Sequence, residues 1–405
     1  MTVVARTIGG DALPGTTRAA LVVGAPSSGD RAGAVEFAER TALQLQRSFP
    51  GRTSIVVALE RRSTRVRAVV PDGSAQLLGS AEVEGEDEIS TLLRAASSLE
   101  SGAVALVQPR PDRDDDWLTH LLSPILDGGY DVVCPCDAHR AVEGAVHTGI
   151  TSPLTRTLFG SRLRQPIGKE IAVSLDACHR LLADGTWLDE VARDGPDLWL
   201  ASPSLTSGLR VCQSCLGPRP ATPAAQGEPL VTALPRTVGV LFRGIERHAS
   251  EWQRAPARTA VPSFGRCVWL EGGPAPVDVA PMIEAFRLGH RDLSDVWGGA
   301  LSPATRLALQ RAAALPGGAF ELPDGVWAHA LCEFLVSWHQ RALNRAHLLA
   351  ALTPLYLGWF ATFARQVVDA PVEKVDERVD AIDAAFEEAR RHLVAWWRWP
   401  DRFSP

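Results

Sequence analysis

Ala19–Ala25 (AALVVGA) and Ser54–Leu59 (SIVVAL) frame a segment, Gly33–Phe49, whose apolar residues recur at helical spacing. The two flanking runs are continuous rather than alternating, the pattern of strands covered on both faces in a parallel sheet. Strand, helix, strand is the opening of an α/β unit. Outward from it the same grammar continues. Glu88–Ser98 and Trp117–Leu126 read as helices, and Ala103–Val107 and Asp131–Pro135 as strands. Ile171–Ser174 is a strand ahead of a helix from Leu175, and Arg210–Cys215 is a late strand. The expectation is a mostly parallel sheet covered by helices.

Gly217–Gly227 (GPRPATPAAQG) is too poor in core residues to form an element and marks a boundary. Beyond it Leu230–His248, Pro281–Leu288, Pro303–Leu315, Val326–Leu343, Leu348–Val368 and Val375–Trp397 all carry helical periodicity. The sequence therefore predicts an α/β domain over 1–225 and a mainly α-helical domain over 226–405.

A chain of 405 residues with 46% hydrophobic content can bury a sizeable core. A net charge of −6 without a basic stripe excludes nucleic acid as the main partner, because such binding is driven by phosphate neutralisation. The N-terminal MTVVARTIGGDALPG has no apolar signal region, and 7 cysteines, an odd number, are scattered. A reducing, cytoplasmic setting is expected. The longest apolar run, Leu348–Phe363, is broken by Thr353, Pro354 and Gly358 and falls short of a span, so no transmembrane helix is expected. Basic charge is almost all arginine, as a GC-rich genome would give, with lysine only at 169 and 374.

Lys169 falls in the most informative short stretch, PLTRTLFGSRLRQPIGKE over Pro153–Glu170. Arg162, Arg164, Gln165 and Lys169 crowd a turn in which Pro166 fixes the backbone and Gly168 frees it, so N–H groups can face an anionic or hydroxylated ligand. An ordinary helix-to-strand turn with a solvated arginine face reads equally well. This run resembles the Gln-Pro-x-Gly-x-Glu segment of nucleotide-sugar glycosyltransferases of the mannosylglycerate synthase and glucosyl-3-phosphoglycerate synthase kind. Gln165, Pro166, Gly168 and Glu170 match. Other segments fall into that family's order: Ala25-Pro26-Ser27, Ser63-Thr64, Glu143-Gly144, Asp197-Leu198-Trp199-Leu200, and Trp338-His339 with Leu352–Gly358 in the helical region. The resemblance implies a GT-A, Rossmann-like α/β domain followed by a helical extension, and a bacterial-type enzyme moving a sugar from a nucleotide diphosphate sugar to a small acceptor.

It also implies site residues. Asp197 would contact the acceptor hydroxyl as base or orienting group. Donor or acceptor would be framed by Pro26, Asp30, Glu60, Arg110, Gln165, Gly168, Lys169 and Glu170. The family's metal set is missing. Its Asp-x-Asp pair, whose hard oxygens hold a divalent ion, is replaced by Gln108, Pro109 and Arg110, and Ala221 stands in place of a late histidine ligand. Three arginines, Arg61, Arg62 and Arg65, occupy the base-binding loop. Asp112, Asp114, Asp115 and Asp116 form either a shifted metal site or an acidic first turn for the next helix.

Two functional readings remain. In one, Arg110, Arg61, Arg62 or Lys169 neutralises the diphosphate of a transferase needing no cofactor and no divalent metal. In the other, the chain is a non-catalytic pseudo-glycosyltransferase with a degenerate Asp-x-Asp site, binding a metabolite or a protein. Cys134, Cys136, Cys212 and Cys215 read as zinc ligands or as small strand-end hydrophobes. His139, His147 and His179 have no nucleophile motif beside them, and no phosphate-loop or dinucleotide fingerprint occurs. Trp396, Trp397 and Trp399 would either staple a homodimer through the helical domain or dock on their own domain.

Overall fold

The computed structural model describes residues 21–26, 31–50, 54–59, 65–69, 75–80, 92–94, 96–97, 100–107, 116–168, 170–184, 199–200, 208–218, 230–254, 261–265, 267–270 and 277–398. By contacts the chain divides into two compact units: Met1–Asp137 with Ile167–Pro218 and Val261–Cys267, and Ala138–Pro166 with Arg219–Ala260 and Val268–Pro405.

The first unit is built on β1 (Leu21–Pro26), α1 (Arg31–Ser48), β2 (Ser54–Leu59), β3 (Arg65–Val69), β4 (Ala75–Ser80), β5 (Ala103–Leu106), α2 (Trp117–Leu126) and β6 (Val132–Ala138). These are followed by β7 (Ile167–Gly168), β8 (Ile171–Ser174), α4 (Leu175–Ala183), β9 (Trp199–Leu200), β10 (Val211–Pro218) and β11 (Ser263–Phe264); α3 (Ser152–Phe159) belongs to the second unit. Nine strands form one sheet in the order β11-β10-β6-β8-β5-β1-β2-β3-β4, and β7 pairs with β9 apart from it.

The sheet is mixed rather than mostly parallel. β1 lies parallel between β2 and β5, but β2, β3 and β4 meander antiparallel, and β8 runs antiparallel between β5 and β6. The β3–β4 hairpin has no counterpart in the sequence reading, because RVRAV and AQLLGS carry too few consecutive apolar residues to stand out as strands. Where burial is described, β5 and β6 are buried at every position, as strands covered on both faces must be. The core joins Val23, Ala103, Ala105, Val133 and Ala172 of the sheet to Leu45 of α1 and to Leu118, Leu121 and Leu122 of α2. Asp131 fastens three strand ends: its carboxylate accepts from the Arg210 backbone N–H at 2.8 Å and from the Ser174 hydroxyl at 3.3 Å. Ser174 in turn caps α4 by accepting from the Ala177 N–H at 3.2 Å.

The second unit is helical: α3 (Ser152–Phe159), α5 (Leu230–Arg247), α6 (Ala249–Trp252), α7 (Ala280–Asp292), α8 (Ser294–Ala300), α9 (Pro303–Ala314), α10 (Asp324–Gln340), α11 (Arg345–Val367) and α12 (Val372–Arg398). A π-helical turn, His147–Thr151, leads into α3, and Gly160 ends α3 in the left-handed region at φ 74°. α11 is the helix read over Leu348–Val368. It is continuous through Thr353, Pro354 and Gly358 for 23 residues, long and apolar enough to cross a membrane, with 67% of its apolar window buried inside the protein. An apolar helix mostly covered by its neighbours reads as a core helix. Trp397, read either as a dimer staple or as a helix end docked on its own domain, is buried in its own unit: edge-on against Trp252 at 5.1 Å and stacked on His339 at 3.8 Å. Trp399 lies outside the described residues.

Glu333, 1% exposed on α10, caps α9 from a different helix. It accepts from the Ser302 backbone N–H and from the Thr305 hydroxyl, each at 2.9 Å. Burial pushes its carboxyl above the ordinary carboxylate range, against the pull of these donors. A raised folded-state pKa means a contribution present in acid and lost as pH climbs through that raised value. Glu333→Gln keeps an acceptor without the charge. Its stability relative to wild type is therefore expected to improve as pH rises above the ordinary glutamate value of about 4.3 and to level off beyond the raised one, read by urea unfolding at a series of pH values. Glu333→Leu, which strands both donors, is expected to cost about 1–3 kcal/mol.

Candidate functional site

β1, β2 and β5 end side by side: Pro26 stands opposite Leu59, and Gly24 opposite Leu106. From β2 the chain leaves toward β3 and β4 on one side of β1 and comes back to β5 on the other. The connections diverge there, at a topological switch point, and in open α/β sheets ligands bind outside the carboxyl ends of the strands at such a point. Four of the residues picked from sequence attach to these ends by chain position. Pro26 closes β1 and Asp30 follows it, Glu60 follows Leu59 directly, and Arg110 comes shortly after Leu106. Asp30, Glu60, Arg110 and the side chain of Pro26 lie outside the described residues.

The Gln-Pro-x-Gly-x-Glu stretch supplies the described part. β8 is antiparallel to β5 with Ile171 opposite Leu106, so β8 begins where β5 ends. Glu170, immediately before Ile171 and 3% exposed, thus enters at the same edge as the carboxyl ends of β1, β2 and β5. β7 and β9 bring two separately quoted motifs together: Gly168 pairs with Trp199 and Ile167 with Leu200. Asp197 precedes Trp199 by two positions; it and Lys169 lie outside the described residues. Gln165, buried at 7% exposed, belongs to the second unit.

One residue at this edge went unremarked in the sequence. β6 runs past its last described pairing, Val133 with Ala172, as far as Ala138. That carries Asp137, 5% exposed, toward the same end of the sheet. The available signal was an acid closing an otherwise apolar strand, VVCPCDA.

The arginines expected to meet a ligand anion have anions of their own. Arg156 donates to Asp383, Arg162 to Asp380 with Asp383 at 3.4 Å, and Arg164 faces Asp376 at 3.7 Å. All three aspartates are on α12, within the second unit. Trp269 joins this cluster of the second unit, donating its indole N–H to Asp376 at 2.8 Å beneath the Arg164 guanidinium, 4.7 Å from the ring centroid.

All 7 cysteines are free thiols. Cys267 donates to the Cys136 carbonyl at 3.4 Å, and contacts with the Cys136 and Cys215 side chains, with burial behind them, push its thiol up. Burial holds Cys212 and Cys178 up at about 12. Such thiols are inert as nucleophiles near neutral pH. Among the described residues no group of three or more His, Cys, Asp or Glu is arranged to hold a metal ion. Asp116 takes the N-cap position of α2 without a side-chain capping bond, while Asp112, Asp114 and Asp115 lie outside the described residues.

Fold and edge together define an α/β protein with a mixed sheet, a switch point at the carboxyl ends of β1 and β5, and a separate helical unit. No protein-family model matches the chain, and no curated protein matches it. Among the solved structures that match is glucosyl-3-phosphoglycerate synthase from Mycobacterium tuberculosis, in complex with Mn2+, uridine diphosphate and glucosyl-3-phosphoglycerate. The likeness is at 16% identity, covers 56% of this chain and 79% of that one, and has a TM-score of 0.36.

Proposed function

We propose that the chain is a nucleotide-sugar glycosyltransferase homologue that binds its donor outside the carboxyl ends of β1, β2 and β5 and transfers the sugar to a small acceptor without an Asp-x-Asp metal site. One observation carries the reading: the residue matching the family's glutamate, Glu170, is delivered to that edge by the antiparallel β8. The β7–β9 pairing supports it by joining the Gln-Pro-x-Gly-x-Glu and Asp-x-Trp-Leu segments. In such a site a buried carboxylate holds sugar hydroxyls, which donate to it. Arg110, with Arg61 or Arg62, provides the positive charge that a divalent ion would otherwise supply to the diphosphate. Asp197 acts on the acceptor hydroxyl as base or orienting group.

The test is thermal unfolding of the full chain against UDP-, GDP- and ADP-sugars, with and without Mn2+, since a ligand bound to the native state raises the midpoint. The expected result is a rise with one of them that does not need Mn2+ and is lost in Glu170→Ala. If no nucleotide sugar moves the midpoint, the transferase reading falls. Asp197→Asn is expected to keep donor binding and lose roughly 100-fold or more in turnover. Lys169→Gly is expected to weaken donor binding by about 1.5–3 kcal/mol if its ammonium meets the diphosphate.

The second reading, a non-catalytic homologue, is favoured by Gln108, Pro109, Arg110 and Ala221 standing where the family has metal ligands. Donor binding without turnover in any acceptor screen, indifferent to Asp197→Asn, would select it.

A further inference from the structure

His329 on α10 and His392 on α12 face each other across two helices of the second unit, with His329 Nε2 3.3 Å from His392 Nδ1 and ring centroids 5.1 Å apart at 51°. Neither residue belongs to the edge described above. The separation is long for an N–H donating to a nitrogen, where distances of about 2.9–3.0 Å are usual for protein N–H donors. It suits something else. Two imidazole nitrogens each about 2.0–2.1 Å from a tetrahedral metal ion stand about 3.3 Å apart.

The tautomer of His329 is already set for this, and His392 ligates once the proton on its Nδ1 is released or moved to Nε2. His329 Nδ1 lies 2.8 Å from the Gly325 carbonyl, which can only accept, so Nδ1 carries the proton and Nε2 presents its lone pair. A backbone carbonyl holding the far nitrogen of a ligating histidine is the usual outer support of a metal site. His392 is exposed, so a hydrated ion reaches the pair directly and keeps water in its remaining positions.

We propose that His329 and His392 form a binding site for a borderline-soft divalent transition ion, Zn2+, Ni2+ or Cu2+, that ties α10 to α12. Imidazole nitrogen selects these ions, whereas Mg2+ and Ca2+ require oxygen ligands. The site is distinct from any donor chemistry and does not depend on the transferase reading. Binding in the native state also raises the stability of the helical unit by mass action.

The experiment is calorimetric titration of the full chain, free of any histidine tag, with Zn2+ alone, together with electron paramagnetic resonance of the Cu2+ form. Wild type is expected to bind one ion with two nitrogen ligands. His392→Ala and His329→Gln should each weaken binding by roughly tenfold or more, because even the outer partners of metal ligands are worth 10- to 100-fold. His347→Ala, an exposed histidine on α11, should leave binding unchanged, and excess Mg2+ should not compete. Zn2+ should raise the thermal midpoint of wild type but not of His392→Ala, a surface variant whose fold circular dichroism verifies. Wild type without binding, binding unaltered in both variants, or equal loss in His347→Ala would overturn the proposal.

Discussion

Arg156→Ala is expected to destabilise the helical unit by about 3–5 kcal/mol, the cost of leaving a buried charge without its partner. Asp383, the partner, is 3% exposed, and burial already holds its carboxyl above the ordinary range although Arg156 and Arg162 pull it down. Removing Arg156 takes away the closer of these cations, so the folded-state pKa rises further. A raised carboxylate pKa contributes stability in acid that disappears as pH rises through it. The variant should therefore lie closest to wild type at about pH 4 and furthest from it at about pH 7, as urea titrations at both values would show. The double variant Arg156→Met with Asp383→Leu is expected to recover most of the loss, because well-packed apolar residues often replace a buried pair without penalty. Arg162→Ala is expected to cost under about 1 kcal/mol, since Arg162 and Asp380 are both largely in solvent. Equal losses in Arg156→Ala and Arg162→Ala would contradict this division of the cluster.

That cluster shows where the sequence was legible and where it was not. Continuous apolar strands such as SIVVAL and periodic helices such as PATRLALQRAAA are legible locally, and the structure has them within a residue or so of the reading. Local pattern says nothing about partners distant in the chain. Arg156 and Asp383 are 227 positions apart, and nothing in PLTRTLFGSRLR marks its arginines as taken by an acidic helix rather than free for a ligand. The same blindness hid the tertiary cap on α9, where the glutamate that a local capping box would place three residues on comes from α10 instead.

The candidate site was legible by motif more than by geometry. Glu170 and Gly168 could be singled out because proline and glycine punctuate the turn, and the structure then sets Glu170 at the strand edge and Gly168 against Trp199. Asp137 was passed over because an acid at a strand end is ordinary in sequence and becomes notable only once β6 is seen to overrun its partner. The histidine pair was unreadable in principle: His329 and His392 are 63 positions apart and belong to no spacing motif.

The other large effect is expected at the aromatic centre of the helical unit. Trp359 is fully buried, stacks at 5.7 Å on Trp327 and at 5.2 Å on Phe363, and donates its indole N–H to Asp324 at 2.9 Å. Trp327 in turn donates to the Gly149 carbonyl at 2.7 Å, which brings the π-helical turn against the rings. A Cβ added at Gly149 would come 2.1 Å from the Trp359 ring, nearer than any real contact. The ring cannot retreat without breaking its stacks and its bond to Asp324. Trp359→Ala is expected to cost about 3–5 kcal/mol through the cavity it opens, and Gly149→Ala about 1–3 kcal/mol through overpacking. The two should not add. In the double variant the new methyl points into the space the indole vacated, so the glycine substitution should lose most of its cost there, a coupling of about 0.5–3 kcal/mol. A double-mutant cycle by chemical denaturation measures it. Strict additivity would mean that Gly149 is required for the path of the π-helical turn itself and not for room beside Trp359.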